Sequence, residues 1–163
     1  MSMDMKFFRF EKAHEFCYEI ALSEVMQGRK ESHWIWYIFP QLRCLGRSST
    51  AIYYGIADKS EAQRYLADAV LGQRLREISA ALLAHTNKTA EEILGVTDAI
   101  KVRSCMTMFD FLSPNDIFGE VLRSFYGGER CEITLKVITA EIFTPQRYIK
   151  SPDELYNNEK LLK

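Results

Sequence analysis

Cys131-Glu132-Ile133-Thr134-Leu135-Lys136-Val137-Ile138-Thr139-Ala140-Glu141-Ile142 is the stretch on which the fold class turns. Ile133, Leu135 and Val137 alternate with Thr134 and Lys136, which is the period of a half-buried strand. Leu135, Ile138 and Ile142 also share one face of a helix at spacings of three and four. A strand needs a partner, and no other segment of this chain has strand character. The helical reading is therefore the consistent one, and it makes the protein all-α.

The segments upstream read the same way. Phe10 to Gln27 carries Phe10, Ala13, Cys17, Ile20, Ala21 and Val25 at helical spacing, leaving Glu11, Lys12, Glu15 and Glu19 to water. Gly28 is a natural stop for that helix. Ser32 caps a short helix through Phe39 that Pro40 breaks. After a turn over Gly46 to Ser49, Ser48 or Ser49 starts a helix bearing Ile52, Tyr53 and Ile56. Ser60 and Gln63 form a capping-box pattern for a helix reaching Ala67. Asp68 caps the next, whose stripe is Val70, Leu71, Leu75, Ile78, Leu82 and Leu83. Thr89-Ala90-Glu91-Glu92 opens a short helix ending at Gly95. Thr97 or Asp98 caps one from Ala99 to Phe111, and Pro114 starts one that reaches Phe125 before Gly127-Gly128. The expectation is a single globular domain of about eight short to medium helices over residues 10–143. A ragged N-terminus occupies residues 1–9 and a polar tail residues 144–163.

Composition agrees with one ordinary core. The chain has 163 residues, 47 % apolar and 26 % charged, with a formal net charge of -1. That balance removes the simplest argument for nucleic-acid binding, which is overall positive charge. The four cysteines, Cys17, Cys44, Cys105 and Cys131, form no Cys-x-x-Cys pair, so no metal site is read and no cofactor is called for. No secretory leader or membrane-spanning run is visible, and the expectation is a cytoplasmic protein with reduced thiols.

The residues with chemistry gather in two places. Gly28 to Leu42 holds both tryptophans, Trp34 and Trp36, with Arg29, Lys30, His33 and Gln41 among them. With Ser32 as cap, His33, Trp36 and Tyr37 fall on one face of the short helix and Trp34 and Ile38 on another. Arg29 and Lys30 precede a helix start, where an anion would be favoured. The structural reading leaves them solvated or paired with Glu24 or Glu31 and puts the tryptophans in the core. The second place is Lys101 to Phe109, where Lys101, Ser104 and Thr107 form a polar stripe at a spacing of three. Those hydroxyls either bond back to the preceding turn or face a cavity with Lys101. Cys105 reads as a buried, inert thiol, His85 as a cap near a helix end, and His14 as a residue against the core.

Gly28-Arg29-Lys30-x-Ser32-His33-Trp34-x-Trp36-x-Ile38-Phe39-Pro40-Gln41-Leu42 closely resembles the hallmark of a mostly bacterial family catalogued as domain of unknown function eighteen-ten. The likeness continues through Leu45-Gly46, Tyr65-Leu66, Val70-Leu71-Gly72-x-Arg74-Leu75, Ser104-x-Met106-Thr107-x-Phe109 and Val121-Leu122-x-x-Phe125-Tyr126-x-Gly128. It covers Phe10 to Ile142, with His14 standing where many relatives carry Gln and Cys44 where Gly is usual. The resemblance implies an all-helical single domain with no established activity. Members are sometimes labelled calpastatin-like, although calpastatins are disordered inhibitors and this chain is rich in core-forming residues. Tyr65 to Leu83 is also somewhat similar to a segment of the NADAR family, whose members act on ADP-ribose-linked substrates.

The functional expectation is a pocket for a small anionic, nucleotide-like molecule. Trp34 or Trp36 stacks on its ring, Arg29, Lys30 and Lys101 meet its charge, and His33, Gln41, Ser104 and Thr107 orient polar groups. If a reaction occurs, it is N-glycosidic hydrolysis of an ADP-ribose-like substrate with His33 as acid or base. The rival expectation is a non-enzymatic interaction domain in which the aromatic segment is core or a docking groove.

Overall fold

The computed structural model describes residues 7–140. Among these, nine α-helices follow one another: α1 Phe8–Met26, α2 Ile35–Ile38, α3 Ser49–Tyr53, α4 Lys59–Ala67, α5 Leu71–Leu82, α6 Ala90–Leu94, α7 Val96–Leu112, α8 Ile117–Tyr126 and α9 Glu132–Thr139. The ambiguous last segment is helical over Glu132–Thr139, and its residues 141 and 142 lie outside the described ones. Thr134 and Ile138, one turn apart, are its buried residues, while Ile133 of the alternating set faces out. Extended pairing among the described residues is limited to an isolated parallel bridge between Leu42 and Ile56. Ile56, expected on α3, is drawn into that bridge: its N–H donates to the Gln41 carbonyl at 2.7 Å.

The core is built around α7, which packs against α2, α4, α6, α8 and α9. Val102, Cys105, Met106, Met108 and Phe109 are fully buried along it. A helix covered from several sides loses the one-sided apolar pattern, and from Ser104 to Asp110 every residue of α7 is buried, polar ones included. Phe109 joins Tyr65 of α4 to Phe118 of α8, with ring centroids 5.8 and 5.7 Å away.

α1 starts before residue 10. Phe7 packs edge-on to Tyr65, and the Arg9 guanidinium donates to Glu61 at 3.1 Å and to the Gly55 carbonyl at 3.0 Å. The buried stripe of α1 is also rotated from the expected one. Phe10, His14, Tyr18, Ala21 and Val25 face inward, while Ile20 is exposed and Ala13 and Cys17 are half-buried. Burial of His14 and Tyr18 is possible because their polar tips find partners across the interface with α2 and α5. Gly28 ends the helix in the left-handed region at φ 81°, with its N–H on the Val25 carbonyl. A Cβ there would meet the His85 ring at 2.9 Å. His85 indeed serves as a cap, but for α1, bonding the Met26 carbonyl at 2.9 Å.

Beyond α3, three predicted starts move. Asp58 rather than Ser60 caps α4, accepting from the Glu61 N–H at 2.8 Å. The earlier start puts Glu61 in the first turn, where it receives Arg9 and the Ala57 N–H. α7 begins immediately after Gly95, so neither Thr97 nor Asp98 caps it. Asp116, not Pro114, caps α8, and its carboxylate also takes Arg76 at 3.0 Å. Ser48 caps α3, Asp68 accepts the Val70 and Leu71 N–H groups ahead of α5, and Thr89 opens α6, as the sequence predicts; Thr89 and Glu92 also close a capping box there. Val70 precedes α5 and is exposed rather than part of its stripe.

No helix among the described residues is long and apolar enough to cross a membrane.

Candidate functional site

The loop from Gly28 to Trp34 is held from below by one carboxylate. Glu24, in the last turns of α1, accepts from the Glu31 N–H at 2.7 Å, the Ser32 N–H at 2.8 Å, the Ser32 hydroxyl at 2.6 Å and the Trp34 indole N–H at 3.0 Å. Burial disfavours the charge, but these four donors outweigh it and hold the carboxyl down to about 2. The expected pairing of Glu24 with Arg29 or Lys30 therefore does not form. Its oxygens are taken by neutral donors. Ser32 is consequently no cap for α2, which starts at Ile35 after Trp34.

A second carboxylate works on the upper side of the same loop. Asp98, in the first turn of α7, receives Lys30 Nζ at 2.8 Å on one oxygen and Lys101 Nζ at 3.3 Å on the other. Lys30 Nζ also donates to the Ser32 carbonyl at 2.5 Å and lies 4.8 Å from the centre of the Trp34 ring. Lys101 Nζ stands 4.2 Å above the ring of Trp36. The Lys30 backbone N–H donates to the Ile93 carbonyl, tying the loop to α6. These groups line a cleft of about 360 Å³ completed by His33, Ile35, Tyr37 and Thr50. Two ammonium groups and one carboxylate leave it with a surplus of positive charge, framed by aromatic rings.

Of the residues singled out from the sequence, Lys30, His33, Trp34, Trp36 and Lys101 line this cleft. Their shares differ: Trp34 is 1 % exposed and serves as a wall, whereas Trp36 is half-buried. Four expected residues lie elsewhere. Arg29 is exposed outside the cleft. Gln41 turns its amide nitrogen into a buried position without a hydrogen-bond partner, and its carbonyl serves the Ile56 bridge. Ser104 bonds Thr134, and Thr107 donates to the Arg103 carbonyl at 2.7 Å while accepting the Cys131 N–H at 2.9 Å. These two hydroxyls fasten α9 and the residue before it to α7, so they are spent on packing farther along the helix than Lys101 and do not line the cleft. The residues missed are Asp98 and Thr50. Asp98 had one readable signal, its i,i+3 spacing to Lys101.

The cleft is buttressed from behind by His14. Its Nε2 meets the Tyr37 carbonyl at 2.7 Å and its Nδ1 the Arg74 guanidinium at 3.3 Å. A carbonyl can only accept and a guanidinium only donate, so the neutral imidazole with its proton on Nε2 satisfies both. Burial, helped by the nearby Arg74 charge, lowers its pKa to about 4 despite the Tyr37 carbonyl. The Tyr37 hydroxyl donates to the His33 carbonyl at 3.0 Å, and burial beside the Cys17 thiol pushes its own pKa up. Burial likewise pushes the Cys105 thiol well up, as befits an inert core residue. The cleft contains no thiol nucleophile, and among the described residues no three His, Cys, Asp or Glu groups could hold a metal ion.

A family model described as "Protein of unknown function (DUF1810)" matches residues 4–138. The crystal structure of the conserved hypothetical protein Rv1873 from Mycobacterium tuberculosis is similar at 38 % identity and a TM-score of 0.79, covering 81 % of this chain and 95 % of that one. No curated protein matches the chain.

Proposed function

The chain belongs to this family of proteins of unknown function, and we propose that its cleft binds a small anionic, nucleotide-like molecule. The observation that carries the reading is the convergence of Lys30 and Lys101 on a single carboxylate beside Trp36. A lone Asp98 does not balance two ammonium groups, so an incoming phosphate finds net positive charge, and a flat ring finds indole surface. Thr50 and His33 supply further polar groups at the rim.

Binding is favoured over N-glycosidic hydrolysis. His33 is available as acid or base, but Asp98, the carboxylate that would have to orient water, is engaged by both lysines.

The test is a thermal-shift screen of the purified protein against nucleotides, ADP-ribose, NAD and phosphosugars. A ligand present at a hundredfold over its Kd stabilises the native state by about 2.7 kcal/mol, a readily measured rise in Tm. A shift that is lost in Trp36→Ala, with helicity retained, supports the reading. No shift at millimolar ligand rejects it in favour of a protein-interaction domain.

A further inference from the structure

The two lysines of the cleft are not equivalent. Lys30 has a side chain only 7 % exposed and three simultaneous partners: Asp98 at 2.8 Å, the Ser32 carbonyl and the Trp34 ring. Lys101 is 22 % exposed, its ion pair with Asp98 is longer at 3.3 Å, and its other contact is the face of Trp36. A side chain that is itself buried and holds three contacts at once gives up more on leaving than one with a long ion pair and a ring contact.

From this asymmetry, and resting on the nucleotide-like reading above, we propose that Lys101 is the residue that captures the ligand, and that it exchanges partners in doing so. Its ammonium lies over the Trp36 face, 4.2 Å from the ring centre. On binding, Lys101 swings from Asp98 and Trp36 to the anionic group of the ligand, and the ligand ring takes the vacated indole face. Lys30 stays in place and keeps Asp98 neutralised. The cleft therefore offers one mobile cation, and it selects a planar ring carrying a single phosphate. Neither half suffices alone. A ring without an anion leaves Lys101 where it covers Trp36, and a free phosphate gains no stacking. A second phosphate adds little, because the one mobile cation is already engaged and Lys30 is held by Asp98.

Calorimetric titration of the full chain with AMP, adenosine, inorganic phosphate and ADP tests the exchange. AMP should bind, adenosine and phosphate at least about tenfold more weakly, and ADP no more tightly than AMP. Lys101→Met should weaken AMP by roughly ten- to a hundredfold and remove most of its salt dependence, with adenosine unchanged. Lys101→Gln should behave alike, which guards against a packing fault in the Met variant. AMP binding that survives in both variants overturns the partner exchange while leaving the nucleotide reading standing. So does selective loss in Lys30→Met. If none of the four compounds binds, the nucleotide reading fails and the exchange fails with it.

Discussion

Glu24 and Asp98 grip the same loop from opposite sides with different chemistry. Glu24 takes four neutral donors from three residues, Glu31, Ser32 and Trp34, and no cation approaches within ion-pair distance among the described residues. Asp98 takes two ammonium groups and leaves a cleft open beside them. The first arrangement is complete, since every donor near it is used. The second has a surplus cation, which is what a binding site needs and a clamp does not. Trp34 and Trp36, two positions apart, divide in the same way: one donates to Glu24 in the core, the other lies beneath Lys101 at the opening.

The contrast is broken most forcefully at Glu24. Glu24→Ala would leave two backbone N–H groups, a hydroxyl and an indole N–H without partners, at a cost of about 4 kcal/mol in denaturant unfolding. An effect below about 1 kcal/mol would mean that water replaces the clamp freely.

Acid separates the clamp from its buttress. The unfolded chain protonates His14 below its ordinary 6.5, but the native state does so only near 4. Stability is therefore full above about pH 6.5 and falls as the pH drops toward 4, by at most about 3 kcal/mol. Glu24, ordinarily 4.5 but about 2 in the fold, contributes stability that is full above 4.5 and is lost as the pH falls toward 2. His14→Gln keeps a donor for Tyr37 and an acceptor for Arg74, so it should flatten the upper window alone. Glu24→Gln should flatten the lower one. Unfolding midpoints measured across pH 3 to 8 give the profile.

The tryptophans sharpen the comparison further. Trp34→Phe should cost about 2 kcal/mol, from one lost indole bond and incomplete filling of a buried site. Trp36→Phe should cost less than about 0.5 kcal/mol, because half-exposed positions lose little packing. Smallest of all, Lys101→Met should leave stability within about 0.5 kcal/mol of the parent, since its ion pair is the longer one at 3.3 Å and Lys30 still pairs with Asp98. Equal costs at the two tryptophans would erase the distinction between clamp and cleft.

Much of the fold was legible because local signals agreed. Gly28, Pro40, Gly95 and Gly127 punctuate the helices where expected, and Thr89 opens α6. Asp58 and Asp116 were passed over because each stands beside another competent starter, Ser60 or Pro114. Tertiary anchors, Arg9 on Glu61 and Arg76 on Asp116, decide between them. The site was legible in kind but not in detail. Aromatic and basic residues crowded into Gly28 to Leu42 pointed to the cleft. Which tryptophan is core depends on Glu24, ten residues away, and which lysine is fixed depends on Asp98, far along the chain. Ser104 and Thr107 misled because a spacing of three shows a shared helix face without showing what that face meets. It meets α9.

The most direct test of the division between clamp and cleft is a proton–nitrogen correlation spectrum, in which Trp34 and Trp36 each give one indole N–H signal. Titrating AMP should move the Trp36 signal progressively while Trp34, bonded to Glu24, stays close to its starting position. A Trp36 signal that does not move at millimolar AMP, or a Trp34 signal that moves instead, would contradict the assignment of the cleft.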